Sequence, residues 1–210
     1  MIASRRAWIR VAVAAAAAAS LGVTGGCGLS KPAPVKEMFV LEPASPPAAA
    51  KAQPGVLRIG TITVAAPFRG RGFVYRESDL KYESDYYREF LVAPSAVVGE
   101  ATARALAAAS VFATVVPPGV PADPDWVLDG FVESLYGDAR EVGKPYAVLT
   151  VTWFLRRGDG DAPFWSRRFE RRVPFTSGST AAYVAAQNSA LSEILAELAR
   201  DLSALPLKKP

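Results

Sequence analysis

Tyr146-Ala147-Val148-Leu149-Thr150-Val151-Thr152-Trp153-Phe154-Leu155-Arg156-Arg157 is the stretch that decides the fold. Ala147, Leu149, Val151, Trp153 and Leu155 are all apolar, and they alternate with the mixed set Val148, Thr150, Thr152, Phe154 and Arg156. Successive side chains on a strand point to opposite faces, so this segment has one face for a core and one for a more polar setting. Its neighbours are alike. Trp126 to Tyr136 precedes it and Phe164 to Phe175 follows it, the latter joined through Gly158-Asp159-Gly160-Asp161-Ala162-Pro163. That connection has the residues of a hairpin tip rather than a metal loop, because the remaining calcium-ligand positions are missing. Three long extended segments in succession predict an antiparallel meander.

The apolar face of that meander needs a cover, and the C-terminal segment supplies one. Val184, Leu191, Leu195, Leu198, Leu202 and Leu205 recur at helical spacing behind Ser179 or Thr180 as a cap. A second helix is predicted from Ala96 to Ala109 behind Ser95, with Val97, Ala101, Ala105 and Ala108 on one stripe. Its alanine-rich face suits close packing, or the lining of a pocket. Upstream, Met38 to Leu41 reads as a short first strand and Pro43 to Gly55 as a mobile Ala/Pro linker. Val56 to Val64 reads as a strand whose hairpin partner is Phe73 to Arg76, after the Gly70-Arg71-Gly72 turn. Tyr82 to Leu91 and Val111 to Val116 read as further strands. The fold class is α/β (α+β): a single domain with a mixed, largely antiparallel sheet and two main helices packed on one face.

The N-terminus is of another kind. Arg5, Arg6 and Arg10 precede the alanine-rich apolar run Val11 to Val23, and Thr24, Gly25 and Gly26 lead into Cys27, the chain's one cysteine. A membrane span needs roughly 20 apolar residues, more than this run provides, so it reads as a removable export signal. The segment Val23-Thr24-Gly25-Gly26-Cys27 resembles a bacterial lipobox, with Thr24 where an aliphatic residue is usual. That resemblance implies a diacylglyceryl (palmitate-type) thioether on Cys27. Gly28 is not the Asp that tends to retain lipoproteins at the inner membrane, so the outer membrane, facing the periplasm, is expected. The expected organisation is residues 1–26 signal, 27–36 lipidated tether, 37–206 domain and 207–210 tail.

Removing the signal takes three of the 24 basic residues and none of the 20 acidic ones, which leaves a nearly neutral chain. Nucleic-acid binding requires clustered cationic charge, so that class is set aside. The absence of histidine removes the commonest general base and the commonest metal ligand together. No carboxylate pair stands out, so no catalytic residue, metal site or cofactor is expected and the chain reads as a non-enzyme. Two surface clusters remain as candidates. Tyr82, Tyr86, Tyr87, Arg88 and Phe90 combine aromatics with a guanidinium, the composition of a partner interface. Arg167, Arg168, Arg171 and Arg172 offer contact to anionic groups, although strand alternation puts Arg167 and Arg171 on the face opposite to Arg168 and Arg172.

The order Phe73-Val74-Tyr75-Arg76, then Tyr82, then Tyr86 to Pro94, then Leu128 to Asp138, resembles the ABC-type transport auxiliary lipoprotein family. The resemblance covers Met38 through Leu205. It implies a non-catalytic periplasmic component that docks an MCE-domain protein and ABC transporter components, membrane-bound through its N-terminal acyl anchor. It also implies support of lipid or hydrophobic-compound transport, with homo-oligomerisation a further option. The alternative is a direct lipid-binding carrier with an internal apolar pocket.

Overall fold

The computed structural model describes residues 35–158 and 160–208. Cys27, the export signal and Asp159 lie outside the described residues. Eight strands form one sheet: β1 (Glu37–Phe39), β2 (Gln53–Val64), β3 (Gly72–Arg76), β4 (Tyr82–Phe90), β5 (Phe112–Val116), β6 (Trp126–Asp138), β7 (Tyr146–Arg157) and β8 (Trp165–Pro174). Two α-helices complete the described residues, α1 (Pro94–Ala108) and α2 (Thr180–Ala204). The long ladders β6–β7 and β7–β8 are antiparallel and realise the predicted meander. The pairings of β2 with β5 and β6, of β3 with β6, and of β1 with β4 are parallel.

β6 is the spine of the sheet. One of its edges takes β7 along its whole length, and the other takes β2 and then, further along, β3. The expected β2–β3 hairpin is therefore wrong. A 3-10 turn at Ala66–Phe68 carries the chain forward instead of back, Ala65 N–H bonds the Val132 carbonyl, and β3 pairs with β6 at Tyr75 and Arg76 before turning into an antiparallel pairing with β4. The sheet consequently forks into a β2–β5 wing and a β3–β4–β1 wing.

α1 packs on β2 and β5, α2 on β7 and β8, and the two helices touch. Between them and the sheet lies one core that contains Leu57, Ile59, Leu128, Leu149, Trp153, Leu155, Leu191, Ile194, Leu195 and Leu198, each about fully buried. Such side chains contribute roughly 1.5–3 kcal/mol apiece on burial, which is why the alternation in β7 and the stripe in α2 dominate the architecture. Gly130 of β6 makes room for the Trp153 indole: a Cβ there would stand 2.7 Å from the ring. α2 is capped as expected, with Ser179 Oγ accepting from Ala182 N–H. α1 is not capped by Ser95. Pro94 occupies its first turn, where a missing N–H costs nothing, and Ala93 stands at the cap. Ala108 is exposed, and Leu106 and Ala109 take its place on the buried stripe.

The mobile linker expected from Pro43 to Gly55 is also not found: its last three residues belong to β2, and the rest is part of a fixed segment, residues 40–52. Leu41 is buried, Glu42 N–H donates to Asn188 Oδ1 at 2.7 Å, Ala44 N–H to Ser192 Oγ at 2.9 Å, and Ala49 N–H to the Ala109 carbonyl at 2.7 Å. The segment is a strap laid over α2. At its end Gln53 Nε2 donates to the carbonyls of Leu202, Ser203 and Leu205, which closes the C-terminus of α2 with a side chain. No helix among the described residues is long and apolar enough to cross a membrane.

Candidate docking surface

The tyrosine cluster is built by an irregularity in β4. β3 and β4 pair at Val74 with Ser84 and again at Gly72 with Glu89, so residues 85–88 bulge out of the ladder. Asp85 holds the bulge, because its Oδ1 accepts from the N–H groups of Tyr87 at 2.8 Å and Arg88 at 3.1 Å, while Oδ2 accepts from Arg88 Nη1 at 3.2 Å. Tyr86 and Tyr87 project from it edge to face, with ring centroids 5.1 Å apart, and Tyr86 is 70% exposed. Lys36 Nζ lies 4.7 Å from the centre of the Tyr86 ring and 3.3 Å from Glu89. β1 covers only residues 88–90 of the outer edge of β4, so among the described residues 82–87 have no strand beside them there. Unpaired edge backbone next to exposed aromatics is a surface suited to strand addition.

The five predicted residues do not share one surface. Tyr86, Tyr87 and Arg88 stand together at the bulge. Phe90 is 2% exposed and packs edge to face on Phe73 inside the core, since it lies beyond the bulge on the inward phase of the strand. Tyr82 sits at the other end of β4 against Phe68 and Tyr136, with Arg76 above its ring.

The four arginines of β8 divide as alternation requires. Arg167 bonds Glu197 and Asp201, and Arg171 bonds Glu197 and, at 3.1 Å, Glu193, all on α2. The Arg171 guanidinium holds the Glu197 carboxyl below the usual range. On the opposite face Arg168 meets Glu133 at 2.8 Å and Arg172 meets Asp138 at 3.3 Å. Each guanidinium has a carboxylate partner within the chain. The acids at 193, 197 and 201 recur every four residues, a helical stripe visible in the sequence that sequence reasoning missed.

Two apolar grooves were also not foreseen. One, of about 600 Å³, runs between strap residues Pro47, Ala48 and Ala50 and helix residues Ala196, Ala199 and Ala204. The other, of about 480 Å³, lies at the start of β6 among Trp126, Phe164, Trp165 and Leu207, with Arg157 and Lys208 at its rim. The alanines Ala101 and Ala105 of α1 line neither groove and are buried in the core. Among the described residues no three acidic or cysteine side chains converge as a metal site would need.

Solved structures share this architecture. A protein from Xanthomonas campestris superposes with a TM-score of 0.69 at 19% identity, over 78% of this chain and 92% of that one. An uncharacterized protein gives 0.64 at 16% identity, over 80% and 99%. No curated protein matches the chain in sequence. The model of one family, the ABC-type transport auxiliary lipoprotein component, matches residues 39–199, which span the strap, β2 through β8, α1 and most of α2. The chain therefore belongs to the ABC-type transport auxiliary lipoprotein component family.

Proposed function

We propose that this protein is a non-catalytic docking component of an envelope transport system, held by a lipidated Cys27 at the periplasmic face of the outer membrane. Its β4 bulge engages an MCE-domain or transporter partner in support of lipid or hydrophobic-compound movement. The observation that carries this reading is the Tyr86–Tyr87 pair, rigidly presented by Asp85 beside an uncovered strand edge. Buried hot spots at interfaces favour tyrosine and arginine, and Arg88 stands next to the pair. Family membership supplies the transport context, and a lipoprotein component of transport works at the cell envelope.

The test is photo-crosslinking in cells from a benzophenone side chain at position 86 or 87. Capture of one envelope transport protein, weakened when the other tyrosine of the pair is replaced by alanine, together with loss of the co-purified complex in the Tyr86→Ala/Tyr87→Ala double variant, supports the assignment. Capture spread over unrelated proteins, or an unaltered complex in the double variant, refutes it. Palmitate labelling of the mature chain checks the anchor. A second reading, direct lipid carriage, is favoured by the alanine-lined groove, whose volume lies in the range of ligand pockets. Lipid recovered with the purified chain and displaced by an Ala199→Trp substitution would support it.

A further inference from the structure

Leu80 and Val142 are each 95% exposed, more than any other large apolar residue among the described residues. Single exposed aliphatics are ordinary on protein surfaces. These two are not independent. Leu80 stands in the turn between β3 and β4, Val142 in the turn between β6 and β7, and the turns lie at the same end of the sheet because Arg76 pairs with Asp138 and Tyr82 with Arg76. A salt bridge fixes them to each other: Arg140 Nη1 is 2.8 Å from Asp79 Oδ1 while the rest of its guanidinium grips Asp138. Two apolar apices thus stand side by side on one end of the sheet, linked by this ion pair.

The charges around them are neutralised locally. Lys81 pairs with Glu77 and Glu83, Lys144 with Glu141, and Arg140 with Asp79 and Asp138. This end carries no cationic field that would draw it to an acidic partner. What it offers is apolar side chains above satisfied charges, with Tyr82 at the base of the β3–β4 turn, 43% exposed. Aliphatic tips over a tyrosine suit the boundary between lipid tails and headgroups, where tyrosine is enriched.

The direction of β1 favours the same end. β4 starts at the β3–β4 turn and runs away from it, and β1 runs parallel to β4, so Glu37 enters β1 heading away from that turn. Eight residues lie between Cys27 and Lys36, nine steps of chain with a reach of at most about 32 Å. We infer that the Leu80 and Val142 turns dip into the bilayer that carries the anchor, so that the domain stands upright on its tips. This rests on the anchoring at Cys27 proposed above. The β7–β8 turn, at the far end of the 12-residue β7, then points away from that bilayer by about 40 Å.

The test uses the full processed chain on vesicles of phosphatidylethanolamine and phosphatidylglycerol. An environment-sensitive fluorophore is placed on Leu80→Cys, Val142→Cys and, as the far-end reference, Ala162→Cys, all at exposed positions that leave the core intact. The parent chain takes no label when Cys27 is acylated. The expected result is a blue shift and quenching by lipid-borne quenchers at 80 and 142, with neither at 162, independent of the anionic lipid fraction. Probes at 80 and 142 that behave like 162 overturn the inference while a blank parent leaves the anchor standing. Probes that shift only when a partner protein is added assign the tips to protein docking and also overturn it. Labelling of the parent chain would sink the anchor instead, and the tip positions are then read as the difference over that background, a shift supporting and its absence refuting the inference.

Discussion

Replacing Asp138 with Asn should loosen the braced end of the sheet and also change how stability responds to acid. The carboxylate is 3% exposed and accepts from Arg140 Nε and Nη2 at 2.9 Å each, from the Arg140 backbone N–H at 3.3 Å and from Arg172 Nη2 at 3.3 Å. Asparagine fits the space but turns an N–H₂ group toward the guanidinium nitrogens. Hydrogen bonds to a charged group contribute about 1.5–3 kcal/mol, and the two arginines retain water on their outer sides, so the expected loss is about 2 kcal/mol at neutral pH. With a urea m-value of about 2 kcal/mol/M, the midpoint followed by tryptophan fluorescence should fall by about 1 M. The hydrogen bonds from Arg140 hold the Asp138 carboxyl below its ordinary value. On acidification the unfolded chain therefore takes up this proton before the folded one does. Asp138 stabilises fully above the ordinary carboxylate pKa of about 3.9 and progressively less below it, so the gap between parent and variant should close as pH falls toward about 3. An unchanged midpoint at neutral pH, or a gap that stays the same in acid, would refute this account of the cluster.

Two further substitutions probe the packing. Gln53→Leu strands three carbonyls at the end of α2 and should cost about 1–3 kcal/mol, read as a melting point lower by roughly 2–4 °C per kcal/mol; an unchanged melt would show that water closes that helix end equally well. Gly130→Ala drives a methyl group into Trp153 and the Ile62 Cδ1 atom and should cost about 1–3 kcal/mol with an altered near-ultraviolet circular dichroism band, whereas Gly70→Ala, which meets nothing within 4 Å, should do neither.

What the sequence made legible is what repeats over many residues. β7 and α2 each carry their period for three or more turns or pleats, and each appears where periodicity puts it, with Tyr146–Arg157 matched end to end. Parallel pairings between distant segments leave no such trace. Val56 to Val64 and Phe73 to Arg76 look like a hairpin because they are close in sequence, and only the position of β6 reveals that they share one of its edges. The strap was misread for a related reason: its fixed points are polar contacts to Asn188 and Ser192, nearly 150 residues away, and composition cannot register them. The tyrosine cluster was legible as a surface, but the bulge that turns Tyr86 and Tyr87 outward and Phe90 inward depends on the Asp85 side chain closing on the backbone.

The forked sheet also fixes where the protein gives way under load. A pull on the N-terminal side of the domain enters through β1, whose ladder to β4 is three residues long, and through a β3–β6 pairing of only two. That wing should peel first, as a mechanical fuse, with the strap's bonds to α2 next in line, while the β6–β8 ladders and the core beneath them hold. A protein stretched between a bilayer and a large assembly would then lengthen at its margin and recoil, uncovering Phe73 and Phe90 while the β6–β8 ladders stay paired.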